Sequence, residues 1–307
     1  MSEQTASLSS SQNLNASSGR YKSEHALATK DPISFWRKQS QRIEWDKEPT
    51  EILTKNSEGL YQWFRDGELN TSYLALDQHV IGGRGDQIAL IYDSPVTHVK
   101  QQISYQDLLD DVSKFAGVLA AQGVEKGDRV LIYMPMIPQA VIAMLACARL
   151  GAIHSVVFGG FAAHELAVRI DDCEPKVVVT SSCGIEIDKV LPYKPLVDQA
   201  FEQAHYLPSR CIVYQRPQVK ANLVPGRDLD WQSEISKSKS APPVSVKSTD
   251  PLYILYTSGT TGTPKGVVRD NGSHAVAMSY SMNVIYGMKA GDVFWAASDV
   301  GWVVGHS

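Results

Sequence analysis

Residues 129–160 read RVLIYMPMIPQAVIAMLACARLGAIHSVVFGG, and this stretch decides the fold. It opens with a run of strand-forming residues, Arg129–Met134. Pro138 then stands where prolines are common in the first turn of a helix, and the apolar run that it opens ends at Leu150. A second strand-forming run, Ile153–Phe158, follows. Because the helix between the two runs is apolar all round, we predict that it is buried against a sheet.

The same alternation continues along the chain. Further predicted elements are a helix with an apolar face between Ala162 and Ile170, a strand at Val177–Thr180, a helix from Pro195 to His205, strands at Arg210–Tyr214, Tyr253–Tyr256 and Asp292–Ala297, and a helix from Ser273 to Met288. Strands that alternate with helices of this length pair in parallel through right-handed crossovers. The sequence therefore predicts an α/β fold, with a layered, largely parallel sheet and helices on both faces.

The strand at Tyr253–Tyr256 is followed by a loop rich in glycine and hydroxyl residues. Thr257–Gly266 reads TSGTTGTPKG. Glycine tolerates positive φ and close approach by a ligand, so such a loop can turn successive backbone N–H groups toward one anion. The hydroxyls add hydrogen-bond donors, and Lys265 adds a positive charge. This composition indicates a site for a polyphosphate.

The loop has two alternative interpretations. A nucleoside-triphosphatase loop needs four residues between its glycines and then Gly-Lys-Ser/Thr. Here two residues separate Gly259 from Gly262, Pro264 precedes the lysine, and Gly266 follows it. The second alternative is an ordinary hydroxyl-rich turn, which composition alone favours for a bare Gly/Ser/Thr run.

The whole string is more specific than its composition. Thr257–Gly266 resembles, without a gap, the phosphate-binding signature of the AMP-forming acyl-CoA synthetase superfamily. Trp63–Tyr73, His154–Phe161 and Ser298–Ser307 resemble, in the same order along the chain, its short-chain branch of propionyl-CoA and acetyl-CoA synthetases. The resemblance implies the N-terminal domain of an adenylating enzyme. It also implies ATP with Mg²⁺ and coenzyme A as substrates, no tightly bound cofactor, and propionate activated through an acyl-adenylate, with acetate as the alternative acid.

The resemblance also implies roles for particular residues. The expected ATP phosphate-binding residues are Thr257, Ser258, Gly259, Thr260, Thr261, Gly262 and Lys265. Trp302 and Val304 are expected in the acyl pocket. A threonine is usual at the Val304 position in acetate enzymes, so the valine agrees with the propionate pattern.

The coenzyme A nucleotide is expected at Glu186, Ile187, Asp188 and Lys189, in a segment that the sequence alone predicts to be a loop with mixed charge. Acetate enzymes carry two arginines at this place, and propionate enzymes carry Glu-Pro-Gly-Arg. Here only Lys189 retains a positive charge.

Composition excludes several other classes. The 307 residues are 43% hydrophobic and carry a net charge of −4, so no basic field favours nucleic acid or an anionic membrane. The longest apolar run, Ala140 to Ala148, is far shorter than the ~18 residues of a membrane-spanning helix. The four cysteines form no CxxC pair and are predicted to be reduced and buried, and the eight histidines are scattered, so we expect no metal site.

We divide the chain into a disordered tail (1–22), an N-terminal short-chain acyl-CoA synthetase region (23–86) and an AMP-binding domain (87–307). The tail lacks the apolar core of a secretory signal, so we predict a cytoplasmic protein. Because the tail is rich in serine, a mitochondrial presequence is the alternative.

The last residues predict that the AMP-binding domain is truncated. An apolar Gly/Val/Trp run fills 299–307, and the family's adenine-binding segment, ribose-binding aspartate and adenylation lysine have no counterpart in this chain. We therefore interpret the chain as an N-terminal fragment that is inactive alone. A hypothesis of a different class is a non-catalytic paralogue that acts as a binding partner or regulator. The oligomeric state is open.

Overall fold

The computed structural model describes residues 21–257 and 264–306. Most of the predicted tail, residues 1–20, lies outside the described residues, whereas 21 and 22 begin a helix. The helices are α1 (21–30), α2 (Pro32–Ser40), α3 (Tyr105–Ala121), α4 (Pro138–Leu150), α5 (Ala163–Cys173), α6 (Lys194–Gln203), α7 (Trp231–Lys237), α8 (Asn271–Tyr280) and α9 (Val303–His306), with π-helical turns at Tyr73–Asp77, Val80–Arg84 and Ser281–Ile285. The strands are β1 (Leu53–Lys55), β2 (Tyr61–Trp63), β3 (Glu68–Leu69), β4 (Ile88–Ser94), β5 (Val99–Ser104), β6 (Arg129–Tyr133), β7 (Ile153–Val156), β8 (Val177–Ser181), β9 (Cys183–Glu186), β10 (Lys189–Pro192), β11 (Arg210–Tyr214), β12 (Asp228–Asp230), β13 (Val246–Lys247), β14 (Pro251–Thr257) and β15 (Lys265–Asp270).

The central sheet confirms the predicted fold class. In the described part of the chain it has seven strands in the order β12-β11-β8-β6-β7-β14-β15. All neighbours pair in parallel except β14 and β15, which form an antiparallel hairpin at one edge. The chain steps from β6 to β7 on one side and then crosses to β8 on the other, so the sheet is doubly wound.

Each face of the sheet has its own apolar core. Alternate strand residues such as Val130 and Ile132 pack with α3, α4 and α7, whereas Leu131 and Tyr133 pack with α5 and α6. Helix α4 begins at Pro138 and ends before Gly151, whose φ of 68° is the left-handed conformation that favours glycine. All four cysteines are buried, as predicted.

The N-terminal region docks onto the end of α4 through buried polar groups. The Asn70 amide donates to the carbonyls of Ala148, Arg149 and Val244 at 2.8–3.1 Å. Arg149 forms a bidentate ion pair with Asp77 at 2.7 and 3.0 Å. The Asn70 amide thus satisfies carbonyls at the end of α4 that have no partner within the helix, and the ion pair compensates two buried charges.

Three sequence predictions need correction. The segment 182–189 is not simply a loop, because β9 and β10 form an antiparallel hairpin there with Ile187 at a φ of 55°. The helix predicted from Ser273 to Met288 is α8 followed by a π-helical turn.

The predicted strand Asp292–Ala297 is irregular, and Val293 and Trp295 are 72% and 82% exposed. Its β-forming residues are not hydrogen-bonded to a neighbouring strand among the described residues, and strand propensity without such pairing does not hold a strand.

Within the same described ranges, no helix is both long and apolar enough to cross a membrane.

Candidate functional site

The two strands that flank the glycine-rich loop are well defined. Thr257 ends β14, Lys265 begins β15, and the two residues are register partners in the hairpin. Both are exposed. The loop residues between them, Ser258–Thr263, lie outside the described residues. Lys265 is thereby held beside the first residue of the loop, as a phosphate-binding lysine would need to be.

The loop leaves the sheet at an edge suited to ligand binding. Strand β14 runs parallel to β7, and β7 runs parallel to β6, so their carboxyl ends lie at the same edge. In open α/β sheets, ligands bind in the crevice outside the carboxyl ends of the strands. The segments that follow β6, β7 and β8 reach this edge together with the glycine-rich loop.

An aromatic cluster lies at this edge and includes Trp302. The Trp302 ring lies 5.8 Å from that of Phe158 and 6.2 Å from that of Phe161, between ring centroids. Trp302 is nevertheless 43% exposed, so one side of the indole faces solvent. It can therefore form a wall of a pocket at the carboxyl edge of the sheet.

Arg169 connects this cluster to the strand that leads into the glycine-rich loop. Its guanidinium lies 4.6 Å from the Phe161 ring and 5.4 Å from the Tyr256 ring, within cation–π range. The Tyr256 hydroxyl donates to Asp172 at 2.5 Å, and burial together with this carboxylate raises the tyrosine's pKa. Residue 256 is therefore fixed immediately before the loop.

The segment that carries Trp302 is packed tightly against the loop after β7. A β-carbon at Gly301 would lie 2.8 Å from backbone atoms of Phe158, so no larger residue fits there without displacement. The Val300 amide donates to the Met136 sulfur at 3.3 Å, and Asp299 accepts from the Gly301 amide at 2.7 Å. Burial raises the pKa of Asp299.

Val304 lies on α9, the short helix that begins directly after Trp302. It lines a cavity of about 920 Å³ that is bounded by β4, the start of α4 and parts of the segment 291–305. Trp302 does not line this cavity and faces Phe158 and Phe161 instead. The structure thus places the two expected acyl-pocket residues close together in the chain but directs them to different surroundings.

Three histidines surround Tyr253 behind this segment, of which His154 is buried and His274 and His306 are half-buried. His154 Nε2 lies 3.0 Å from His306 Nε2, and His306 Nδ1 lies 2.9 Å from the Val300 carbonyl oxygen. Because a carbonyl only accepts, the network assigns the proton of His306 to Nδ1 and that of His154 to Nε2. Burial lowers the pKa of both His274 and His306 to about 4 and that of His154 well below its ordinary value.

The expected coenzyme A segment is the tip of the β9–β10 hairpin. Ile187 is 88% exposed, and Glu186, Asp188 and Lys189 are exposed as well. The hairpin follows β8, so it starts from the same edge of the sheet as the aromatic cluster. In the described part of the chain, no group of three or more His, Cys, Asp or Glu side chains is arranged to hold a metal ion.

Sequence reasoning missed Arg169, Asp299 and the histidine cluster. Arg169 and His154 have partners that are distant along the chain, Tyr256 and His306, and no local pattern reports such contacts. The sequence did contain one signal that side chains pack closely at the loop after β7. Bulky aromatic residues surround the glycines at 159 and 160, and glycine beside large rings often marks close packing.

Comparisons with known proteins agree with this architecture. The structure resembles acetoacetyl-CoA synthetase from Streptomyces lividans with a TM-score of 0.83 and 27% identity, over 92% of this chain and 43% of that one. The sequence is 59% identical to an uncharacterized protein of Pseudomonas aeruginosa, over 94% of this chain and 46% of the relative. It is 54% identical to acyl-CoA synthetase short-chain family member 3, mitochondrial, of Rattus norvegicus, over 94% of this chain and 42% of the relative. The chain thus spans less than half the length of these proteins.

The doubly wound sheet, with its glycine-rich hairpin at the carboxyl edge, is the N-terminal domain fold of adenylating enzymes. Residues 77–307 match the sequence model described as AMP-binding enzyme, and residues 21–75 match that of the acetyl-coenzyme A synthetase N-terminus. The chain belongs to the AMP-binding enzyme family.

Proposed function

We propose that the protein containing this chain is an AMP-forming short-chain acyl-CoA ligase that activates propionate. One observation carries the proposal: the hairpin that pairs Thr257 with Lys265 opens at the carboxyl edge of the parallel sheet, the same edge at which two phenylalanines hold a partly exposed tryptophan. A polyphosphate site next to a small apolar wall suits the reaction of a short carboxylate with ATP.

In the first half-reaction, a carboxylate oxygen of the acid attacks the α-phosphorus of ATP. The bond from that phosphorus to the bridging oxygen breaks, and pyrophosphate leaves with both electrons of the bond. Negative charge grows on the leaving group, and donors that are fixed in advance stabilise such charge most effectively. Lys265 and the loop Thr257–Gly262 are the groups that we assign to the β- and γ-phosphates.

Mg²⁺ is proposed to arrive with the triphosphate, because hard divalent cations are usually bound through substrate phosphates and one or two protein oxygens. The threonine and serine hydroxyls of the loop fit this chemistry. No step of the mechanism depends on a metal held by the described residues alone.

In the second half-reaction, the sulfur of coenzyme A attacks the acyl carbonyl carbon. The carbon–oxygen bond to the phosphate breaks, AMP leaves, and the thiol proton is released. We assign the nucleotide of coenzyme A to the hairpin tip Glu186–Lys189. Lys189 can pair with a phosphate there, while Glu186 and Asp188 repel it, so we expect weak binding at this tip.

The choice of acid is assigned to Trp302 and Val304. The indole limits the length of the acyl chain. Val304 is apolar and so suits contact with the additional methylene of propionate better than a polar side chain would. Acetate is the alternative acid, because a pocket for propionate also admits the shorter chain.

We propose a cytoplasmic location, with the mitochondrion as the alternative. The rat relative carries the word mitochondrial in its name. Fluorescence microscopy of the protein tagged at its C-terminus, with residues 1–20 present or removed, distinguishes the two locations.

Product analysis tests the proposed reaction. The protein as its gene encodes it is incubated with propionate, ATP, Mg²⁺ and coenzyme A, and the nucleotides and thioesters are separated. We expect AMP and propionyl-CoA in equal amounts, each dependent on the acid. Release of ADP and phosphate, or no thioester under any condition, would contradict the proposal.

A further inference from the structure

Two segments of the site meet at one side chain, Tyr193, and a third is linked to it through one of them. A β-carbon added to Gly184, in the β9–β10 hairpin, would lie 2.5 Å from Cε1 of the Tyr193 ring. A β-carbon added to Gly159, in the loop after β7, would collide with the Tyr193 hydroxyl. The ring is therefore in close contact with both segments, and each contacts it through a glycine.

A second tyrosine completes the contact with the loop after β7. The rings of Tyr133 and Tyr193 stack with centroids 4.9 Å apart. The Tyr133 hydroxyl lies 3.1 Å from the Gly159 carbonyl and 2.8 Å from the Phe161 carbonyl, and it can donate to one at a time. Phe161 carries the ring that faces Trp302, so the tyrosine pair holds the backbone of the aromatic cluster.

The third segment is the one that leads to Trp302. It contacts the Phe158–Phe161 loop, because a β-carbon added to Gly301 would lie 2.8 Å from backbone atoms of Phe158 and the Trp302 ring faces those of Phe158 and Phe161. Burial, and after it the charge of Asp299 in the same segment, raises the pKa of Tyr193 to about 12. The Trp302 segment is therefore linked to Tyr193 through the loop after β7.

We infer that Tyr193 is a positioning residue that fixes the β9–β10 hairpin relative to the Phe158–Phe161 loop and Trp302. The inference rests on the proposed function, in which the hairpin tip binds the nucleotide of coenzyme A and Trp302 borders the acyl group. Tyr193 then sets the distance between the two substrates of thioester formation. The Trp302 side of the site keeps a second support, because the Tyr133 hydroxyl still donates to the Gly159 or Phe161 carbonyl when the Tyr193 ring is removed. Adenylation should therefore depend on Tyr193 much less than thioester formation does.

Loss of this ring should impair one half-reaction selectively. A misplacement of about 1 Å at a reacting centre can lower a rate about 100-fold. We therefore expect Tyr193→Leu to lower kcat/KM for coenzyme A at least about 10-fold, within that limit. Acid-dependent ATP–pyrophosphate exchange, which reports adenylation alone, should stay within about 2-fold of the wild-type rate, a factor that corresponds to ~0.4 kcal/mol.

Two further variants separate positioning from general packing. Tyr193→Phe keeps the ring between the two glycines and should recover most of the coenzyme A-dependent rate. Gly184→Ala displaces the ring from the hairpin side and should reproduce the selective defect with Tyr193 intact. Tyr105→Leu is the control, because it removes a phenol ring that is half-buried and packs on His79, away from the hairpin and the aromatic loop.

The outcomes are distinct. If the wild-type protein shows no acid-dependent exchange, the proposed function itself fails. If the wild type is active and Tyr193→Leu and Gly184→Ala both leave kcat/KM for coenzyme A unchanged, the positioning role is wrong. Equal loss in exchange and thioester formation in both variants also overturns it. Should Tyr193→Leu fail to fold, the milder Gly184→Ala decides alone.

Discussion

Lys265 is held at the mouth of the glycine-rich loop by its pairing with Thr257, and its exposed side chain is free to approach a triphosphate. Because a hydrogen bond to a charged group contributes ~1.5–3 kcal/mol, Lys265→Ala should slow ATP–pyrophosphate exchange about 10- to 100-fold. Acid binding should change little. The matched control is Lys239→Ala, at an exposed lysine outside the loop. An exchange rate in Lys265→Ala equal to that of the control would remove Lys265 from the phosphate site.

Trp302 has one face on Phe158 and Phe161 and the other toward solvent. If the exposed face limits the length of the acyl chain, Trp302→Gly should admit longer acids such as valerate and lower the discrimination among short ones.

For the wild type, one methylene in an apolar pocket gives ~1–3 kcal/mol, so propionate should exceed acetate about 10- to 200-fold in kcat/KM. Steady-state kinetics across the acid series measure both effects. Equal use of acetate and propionate by the wild type would disprove the assignment of the acid.

The histidine cluster around Tyr253 predicts a loss of stability in mild acid. Burial lowers the pKa of His274 to about 4, below the ~6.5 of an unfolded chain, so the unfolded state binds the proton first as the pH falls. The stability that depends on neutral His274 is complete above pH ~6.5 and is lost between there and pH ~4. From pH 7 to pH 5 the loss should be about 2 kcal/mol for this residue.

Urea unfolding at pH 7 and pH 5 measures this loss. His274→Gln should show a smaller decrease than the wild type, whereas His164→Gln, at an exposed histidine, should decrease as the wild type does. Identical pH dependence in all three proteins would show that the cluster does not titrate on unfolding.

Among the elements, the helical segment 71–84 depends on α4 for its position. The Arg149 and Asp77 side chains are 6% and 12% exposed and pair at 2.7 Å. Breaking a buried pair costs ~3–5 kcal/mol because the remaining charge is uncompensated, so Arg149→Met should destabilise the protein by about that amount. The Lys100–Asp93 pair is equally short at 2.8 Å but lies on the surface, and Lys100→Met should be nearly neutral.

Chemical denaturation of the two variants gives the comparison. The double variant Arg149→Met, Asp77→Leu should recover much of the lost stability, because no buried charge remains. If Arg149→Met is as stable as Lys100→Met, the ion pair does not hold the N-terminal region in place.

The sequence predicted elements well where the signal was local. Strand β6 and helix α4, with Pro138 at its start and Gly151 at its end, rest on residues that are neighbours along the chain. The predicted strand Asp292–Ala297 is wrong because strand formation also needs a partner, which a local pattern does not supply. The β9–β10 hairpin was missed for a similar reason, since its polar tip has the composition of a loop.

Across the whole molecule, the parallel sheet brings the ends of β6, β7, β8 and β14 to one edge and thereby assembles the site. The family could be predicted from the motifs. The linkage of three segments through Tyr193 could not, because it depends on contacts between residues far apart in sequence, such as Gly159 with Tyr193 and Phe158 with Gly301.

The most direct test of the proposed function is isotope exchange between ATP and pyrophosphate. The protein as its gene encodes it is incubated with ATP, Mg²⁺ and labelled pyrophosphate, with and without propionate, and without coenzyme A. Reversible formation of an acyl-adenylate predicts that label enters ATP only when propionate is present, and that Lys265→Ala slows this exchange at least about 10-fold. Exchange that does not require the acid, or no exchange while propionyl-CoA still forms, would contradict activation through an adenylate.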